Sequence, residues 1–239
     1  MKRFFYAIAL LVICATISFA KINEVEINLK GGIQPYTNMY YETTFNSAYF
    51  SGGKHEEDDD ENTSNGFSLS AEGFIFFGEH FGLGIGGNYF TEREMLDSSS
   101  KFSFSSLYAA LKYKYSLNKL ISAFNKNYVY DKTNQKYFYG VFHLGQALID
   151  HDFKLNDIPL RTTNGLYCAI GTGLQGKFWL IELLYSQHQA KIDGIGYINN
   201  YPYYYAISGE QKQIFRTITL NIGFRFNLYR RADEALPKD

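Results

Sequence analysis

Three groups of residues in the sequence have the types and the spacing to do chemistry. The first is Ser186-Gln187-His188, a hydroxyl and an imidazole two positions apart. On a β-strand that spacing puts both side chains on one face. A nucleophile needs a base within hydrogen-bond reach and a third group to orient that base, and no carboxylate stands where it could orient His188. The pair therefore reads as a solvated strand end, with acyl hydrolysis as the alternative, and no catalytic residue is assigned. The second group is His55-Glu56-Glu57-Asp58-Asp59-Asp60-Glu61. Its carboxylates are contiguous and lack the spaced ligands and glycine of a calcium loop. The run reads as a self-repelling loop tip, with weak capture of calcium or magnesium as the alternative. The third group is a set of scattered charges, Glu26, Lys30, Glu72, Lys112, Lys114, Glu182 and Arg225. Their meaning depends on the elements that carry them. No His, Cys and carboxylate spacing matches a zinc site. Gly82-x-Gly84-x-Gly86 alternates within a strand with no helix behind it, which excludes a phosphate-cradling loop. Neither a metal nor a cofactor is expected.

The elements are strands. Near the end of the chain Ile214, Ile218, Leu220, Ile222, Phe224 and Phe226 alternate with Thr217, Thr219, Asn221, Gly223 and Arg225, and only Arg216 breaks the apolar series. A period of two is the β signal. Seven earlier stretches repeat it. Val25, Ile27, Leu29 and Ile33 alternate with Glu24, Glu26, Asn28, Lys30 and Gln34. Phe67, Leu69, Ala71 and Ile75 alternate with Ser68, Ser70 and Glu72, and after the turn Gly78-Glu79-His80 come Leu83, Ile85 and Tyr89 against glycines and Asn88. Leu107, Leu111, Tyr113 and Tyr115 oppose Lys112, Lys114 and Ser116; Phe138, Phe142 and Leu144 oppose Tyr139, Val141 and His143. Leu166, Cys168, Ile170 and Leu174 form the sixth apolar set. After Gln175-Gly176-Lys177, Trp179, Ile181, Leu183 and Tyr185 form the seventh, against Glu182, Ser186 and His188.

Short links follow the second and sixth strands, and long polar ones follow the first, fifth and seventh. That alternation of short turns and long loops is the pattern of a transmembrane barrel. Residues 118–136 break it, and are an ordered turn, a short helix or an extra hairpin that would make ten strands. Residues 1–20 read as a signal peptide: Lys2 and Arg3, an apolar stretch, then Ser18-Phe19-Ala20 before Lys21. Bulky Ile13 before Cys14 argues against lipidation. Cleavage would leave 21 basic against 24 acidic residues, a net charge of −3 with no basic stripe for nucleic acid. It would also leave only Cys168, so no intramolecular disulfide can form. With 21 Tyr and 21 Phe but one Trp, the aromatic content suits strands, and Tyr suits a membrane boundary.

A soluble sandwich also alternates. Against it stand the length of the apolar sets, the charges and glycines opposite them, and the export signal. A closed barrel satisfies every backbone group in lipid. The reading is all-β: an eight-stranded antiparallel up-and-down barrel over 21–227, after the signal peptide at 1–20 and before a polar periplasmic tail at 228–239. It sits in a bacterial outer membrane with both termini periplasmic.

The chain resembles the small outer-membrane barrels of the OmpA/OmpX and opacity-protein type. The resemblance is carried by Ser18-Phe19-Ala20, Gly82-Leu83-Gly84-Ile85-Gly86-Gly87, Leu107-Tyr108-Ala109-Ala110-Leu111-Lys112-Tyr113 and the closing strand to Phe226. It implies outer-membrane lipid and the barrel-insertion machinery as partners. In that family the last strand commonly ends on a terminal Phe; here Phe226 is followed by Asn227-Leu228-Tyr229-Arg230-Arg231 and a tail. Ser186-Gln187-His188 is loosely similar to the His-x-Ser of lipid A deacylases, with its order reversed.

With apolar faces outward, the seven scattered charges point into a lumen just wide enough for side chains. They are expected to pair there as a plug, with a gate for small ions as the alternative. Outside, Tyr201, Tyr203, Tyr204 and Tyr205 are candidate contacts for a host or other extracellular ligand, because tyrosine offers large area at low entropic cost. The alternative is that two strands extend past the membrane and these rings pack on each other. The function expected is a non-enzymatic surface protein whose loops 36–66 and 191–211 meet the exterior. A narrow pore is the alternative, and an acyl hydrolase a third.

Overall fold

The computed structural model describes residues 22–47, 54–62, 65–94, 101–124, 135–151, 154–155, 158–159, 161–200 and 203–230. Its elements are β1 (Ile22–Ser47), β2 (Lys54–Asn62), β3 (Gly66–Phe77), β4 (Phe81–Glu94), β5 (Lys101–Ser116), α1 (Leu117–Phe124), β6 (Tyr137–His151), β7 (Lys154–Leu155), β8 (Ile158–Pro159), β9 (Arg161–Gln175), β10 (Trp179–Asn200) and β11 (Tyr203–Arg230). Pairing runs β1, β3, β4, β5, β6, β9, β10, β11, and β11 returns to β1. These eight strands are the closed antiparallel barrel that the alternation predicts. At the seam Leu29 lies opposite Phe224 and Ile33 opposite Leu220. Closure leaves no edge N–H or C=O unpaired where there is no water to satisfy it.

The faces are inverted relative to a soluble protein. Ile85 is 75% exposed, Leu107 65% and Phe224 66%, whereas Glu26 and Lys112 are at most 1% exposed. The apolar sets form a continuous outer band, and the polar sets fill the interior. Cys168 lies on the outer side of β9. Arg216, the break in the last strand, faces outward with its guanidinium 5.8 Å from the centre of the Tyr40 ring.

The interior also holds a group of aromatic rings. Phe74, Phe76, Tyr108, Tyr139 and Tyr167 are buried together. Gly82, Gly84 and Gly86 make room for three of them. A Cβ at Gly82 would stand 2.7 Å from Phe76, one at Gly84 2.6 Å from Phe74, and one at Gly86 2.8 Å from Tyr108. The glycine row is thus a trough in the inner wall. The turn before it needs glycine for another reason, since Gly78 has φ 67°.

At the end carrying both termini the connections are short, and α1 fills the one that is long. Leu117 N donates to Lys136 O at 2.8 Å, and Lys119 Nζ reaches Glu79 Oε2 on the neighbouring turn at 2.5 Å. Of the three expectations for 118–136, the short helix is the one present among the described residues. β11 runs past the expected barrel boundary at 227 to Arg230, because β1 still offers partners, Val25 to Tyr229 and Glu24 to Arg230. The expected signal peptide and the last residues of the tail lie outside the described residues.

The opposite, distal end differs from the sequence reading. Beyond Gln34, β1 leaves β3 and pairs with β2, from Asn38 opposite Asn62 to Asn46 opposite Lys54. β1 meanwhile stays paired with β11, and β10 with β11 as far as Asn200 opposite Tyr203. A four-stranded sheet, β10–β11–β1–β2, therefore continues outward from the barrel wall. Residues 36–66 and 191–211, expected as loops, are mostly strand. The acidic run belongs to β2 and is no loop tip, because the backbone of β1 continues as a template beside it. Tyr201 lies outside the described residues, while Tyr203, Tyr204 and Tyr205 sit at the start of β11, opposite Asn200, Asn199 and Ile198.

Candidate functional site

The lumen contains every charge of the third group, in two clusters. Nearer the termini, Glu26 Oε1 accepts from Lys112 Nζ at 2.5 Å and its Oε2 from Arg225 Nε at 2.6 Å. Lys114 Nζ donates to Glu24 Oε2 at 2.6 Å and lies 3.9 Å from Glu26. Arg225 also donates through Nη2 to Glu24 and through Nη1 to the carbonyl of Gly176 at 3.1 Å. Further along, Lys30 Nζ donates to Glu72 Oε1 at 2.6 Å and to Glu182 Oε1 at 2.7 Å. Asn221 Nδ2 adds a bond to Glu182 Oε1 at 3.0 Å, and the hydroxyls of Tyr108 and Tyr139 donate to Glu72 and Glu182 at 2.9 and 3.1 Å.

One member is missing from the sequence-derived set. Glu24 was placed on the polar face of the first strand but not among the interacting charges. With it, four carboxylates, Glu24, Glu26, Glu72 and Glu182, face four cations, Lys30, Lys112, Lys114 and Arg225. The balance is the condition for burying such groups, since an unpaired charge in a narrow, poorly hydrated space is costly. The signal was an excess of cations in the seven-residue set, three carboxylates against four.

The cations also rest on rings. Lys114 Nζ is 3.6 Å from the Phe76 ring centre and Lys112 Nζ 4.4 Å from that of Tyr139, geometries that favour a cation electrostatically. Above them His143 stacks on Tyr108 with centroids 4.2 Å apart, its Nε2 3.3 Å from Glu72 Oε1. Asn88 Nδ2 donates to the Tyr167 hydroxyl at 3.0 Å. Beyond this layer Met39, Phe90, Phe102, Phe104 and Phe215 form a second buried apolar group. Charges, mixed rings and then phenylalanines fill the barrel in succession.

Ser186 and His188 do share the inward face, as their spacing requires, but they are wholly buried and not solvated. His188 lies among Phe90, Phe104 and Tyr167, with centroids 5.0, 5.0 and 4.8 Å away. Ser186 Oγ and both nitrogens of His188 have no hydrogen-bond partner, so the two do not form a nucleophile–base pair. No group of three His, Cys, Asp or Glu side chains that could hold a metal occurs among the described residues.

An apolar outer band around a closed, charge-balanced interior defines a small transmembrane β-barrel. The solved structures to which the chain is similar include outer-membrane proteins of that kind. They include OprG from Pseudomonas aeruginosa (13% identity over 86% of this chain and 97% of that one, TM-score 0.44) and AlkL (12%, 90% and 96%, 0.43). Ail of Yersinia pestis, solved with the heparin analogue sucrose octasulfate, is a third (16%, 85% and 99%, 0.33). No family model matches the sequence, and neither does any curated protein.

Proposed function

We propose that the chain is a non-enzymatic surface protein of a bacterial outer membrane, with both termini in the periplasm and the distal sheet outside the cell. Outer-membrane lipid surrounds the band, and the barrel-insertion machinery receives the closing strand. The barrel serves as an anchor: Glu26, Lys30, Glu72, Lys112, Lys114, Glu182 and Arg225 plug it together with Glu24. The sheet β10–β11–β1–β2, with Tyr203, Tyr204 and Tyr205 near its tip, presents the contact surface for a host or other extracellular ligand. The observation that carries this reading is the contrast between the two ends of the same strands. They enclose a filled interior through the apolar band, then run on as an open sheet that has no part in closing the barrel.

Two measurements on refolded protein test it. In planar bilayers a plugged anchor gives no steady conductance steps; regular single-channel openings would replace the anchor with a narrow pore. Replacing residues 192–211 by a short turn should leave the heat-modifiable gel shift of the folded barrel intact and remove adhesion of protein-bearing vesicles to host cells. Adhesion unchanged by that deletion would refute the role given to the sheet.

A further inference from the structure

The charges of the lumen balance near the termini, and among the described residues one buried cation further along has no carboxylate against it. Arg93, on β4, is 2% exposed and has no carboxylate partner among the described residues. Its sequence neighbour Glu92 is on the outer side, 3.1 Å from Lys101 Nζ. Of the guanidinium nitrogens, Nη1 donates to the Thr37 hydroxyl, while Nε and Nη2 have no acceptor. These two N–H groups lie side by side and parallel, the edge with which arginine grips both oxygens of a carboxylate.

That edge lies against Gly66, which has no side chain to cover it. A Cβ at Gly66 would stand 2.4 Å from Nε and 2.9 Å from Nη2, so any larger residue there would crowd the fork. Thr37 Oγ1 lies 3.3 Å from Thr217 Oγ1, and Thr217 is the ladder partner of Ser186, whose buried hydroxyl is also unpartnered. Phe90, on the same strand as Arg93, meets His188 edge-on at 5.0 Å, which closes the layer with rings. A buried, permanently charged group with both N–H groups of its bidentate edge unpartnered is the donor half of an anion site.

We infer that Arg93, along the guanidinium edge that faces Gly66, forms a binding site for a carboxylate at the distal mouth of the barrel. The planar fork selects two coplanar oxygens over a spherical halide. The site is defined by the barrel alone and stands whichever side of the membrane the distal end faces.

The test is a titration of the refolded, 15N-labelled protein at constant ionic strength, following the arginine Nε–H signals by NMR. The Arg93 signal is assigned by its loss in Arg93→Gln, and Arg225, already held by two carboxylates, is the internal control. Sodium formate should shift the Arg93 signal saturably and leave Arg225 unmoved, with chloride giving no saturable shift. Glucuronate added in place of formate distinguishes sources: a shift with both assigns the site to carboxylates on larger ligands, and with formate alone to small free ones. Gly66→Ala, which keeps the charge and crowds the fork, should weaken formate binding at least tenfold. No saturable shift with either carboxylate, or an equal response to chloride, overturns the proposal. So does undiminished binding in Gly66→Ala.

Discussion

Replacing Glu26 by Gln tests the idea that the lumen holds together by charge balance. Glu26 is fully buried, with Lys112 on one oxygen at 2.5 Å and Arg225 on the other at 2.6 Å. Arg225 keeps Glu24 after the substitution, but Lys112 loses its carboxylate and retains only the faces of Tyr139 and Phe74. Breaking one side of a buried pair costs about 3–5 kcal/mol, so Glu26→Gln should fall in that range. Glu26→Gln with Lys112→Met removes the stranded charge as well. The double variant should be more stable than the sum of the two single losses predicts, by about 1–3 kcal/mol for groups in contact. Urea unfolding from lipid vesicles measures this, read by the fluorescence of Trp179, the one tryptophan in the chain, on the lipid-facing side of β10. Additive costs, within about 0.5 kcal/mol, would refute the coupling.

The same unfolding assay checks three further expectations. Ile85→Lys, placed in the middle of the exposed stretch of β4, should lose about 2–4 kcal/mol, as a cation facing the bilayer interior does; no loss would mean the face does not meet lipid. Gly86→Ala puts a methyl 2.8 Å from both Tyr108 and Glu72 and should cost about 1–3 kcal/mol. Gly73→Ala, with nothing within 4 Å of its Cβ, should be close to neutral, so equal effects at the two sites would contradict the trough. Tyr139→Phe removes the hydroxyl that donates to Glu182 at 3.1 Å and should cost about 1.5–3 kcal/mol, the range for a bond to a charged group.

The barrel was legible because a period of two survives wherever one face meets lipid. Leu107, Leu111 and Tyr113 announce the outward face of β5 without any knowledge of their neighbours. The interior was legible only in its charged part. Phe74 and Phe76 alternate with Ile75 and Phe77, so the end of β3 looks apolar on both faces, and only the phase set by Ser68, Ser70 and Glu72 turns Phe74 and Phe76 inward. Glycine spacing held the missing information, since the gaps at Gly82, Gly84 and Gly86 belong to rings from adjacent strands. Glu24 was placed on the polar face yet left out of the set, and nothing local marks it as a member: its partners Lys114 and Arg225 lie 90 and 201 residues away in sequence, and only the closed barrel brings them together. Ser186 and His188 were placed on the correct face but assigned to solvent, because nothing local reveals how far the phenylalanine layer reaches. The distal extension of β10 and β11 matches the alternative of two strands running past the membrane, whereas β2 was missed because it is a run of like charges with no alternation. Its strand is imposed by β1, not by its own propensity.

The unbroken course of β10, β11 and β1 from the termini to the distal tip has a mechanical corollary. Antiparallel hydrogen bonds lie across the strands, so a pull along the tip loads the whole ladder at once in shear, where a flexible loop would peel its bonds one after another. The greasy belt then resists as a single cleat, and the force needed to dislodge the tip is set by the belt and not by the tip's own fastening.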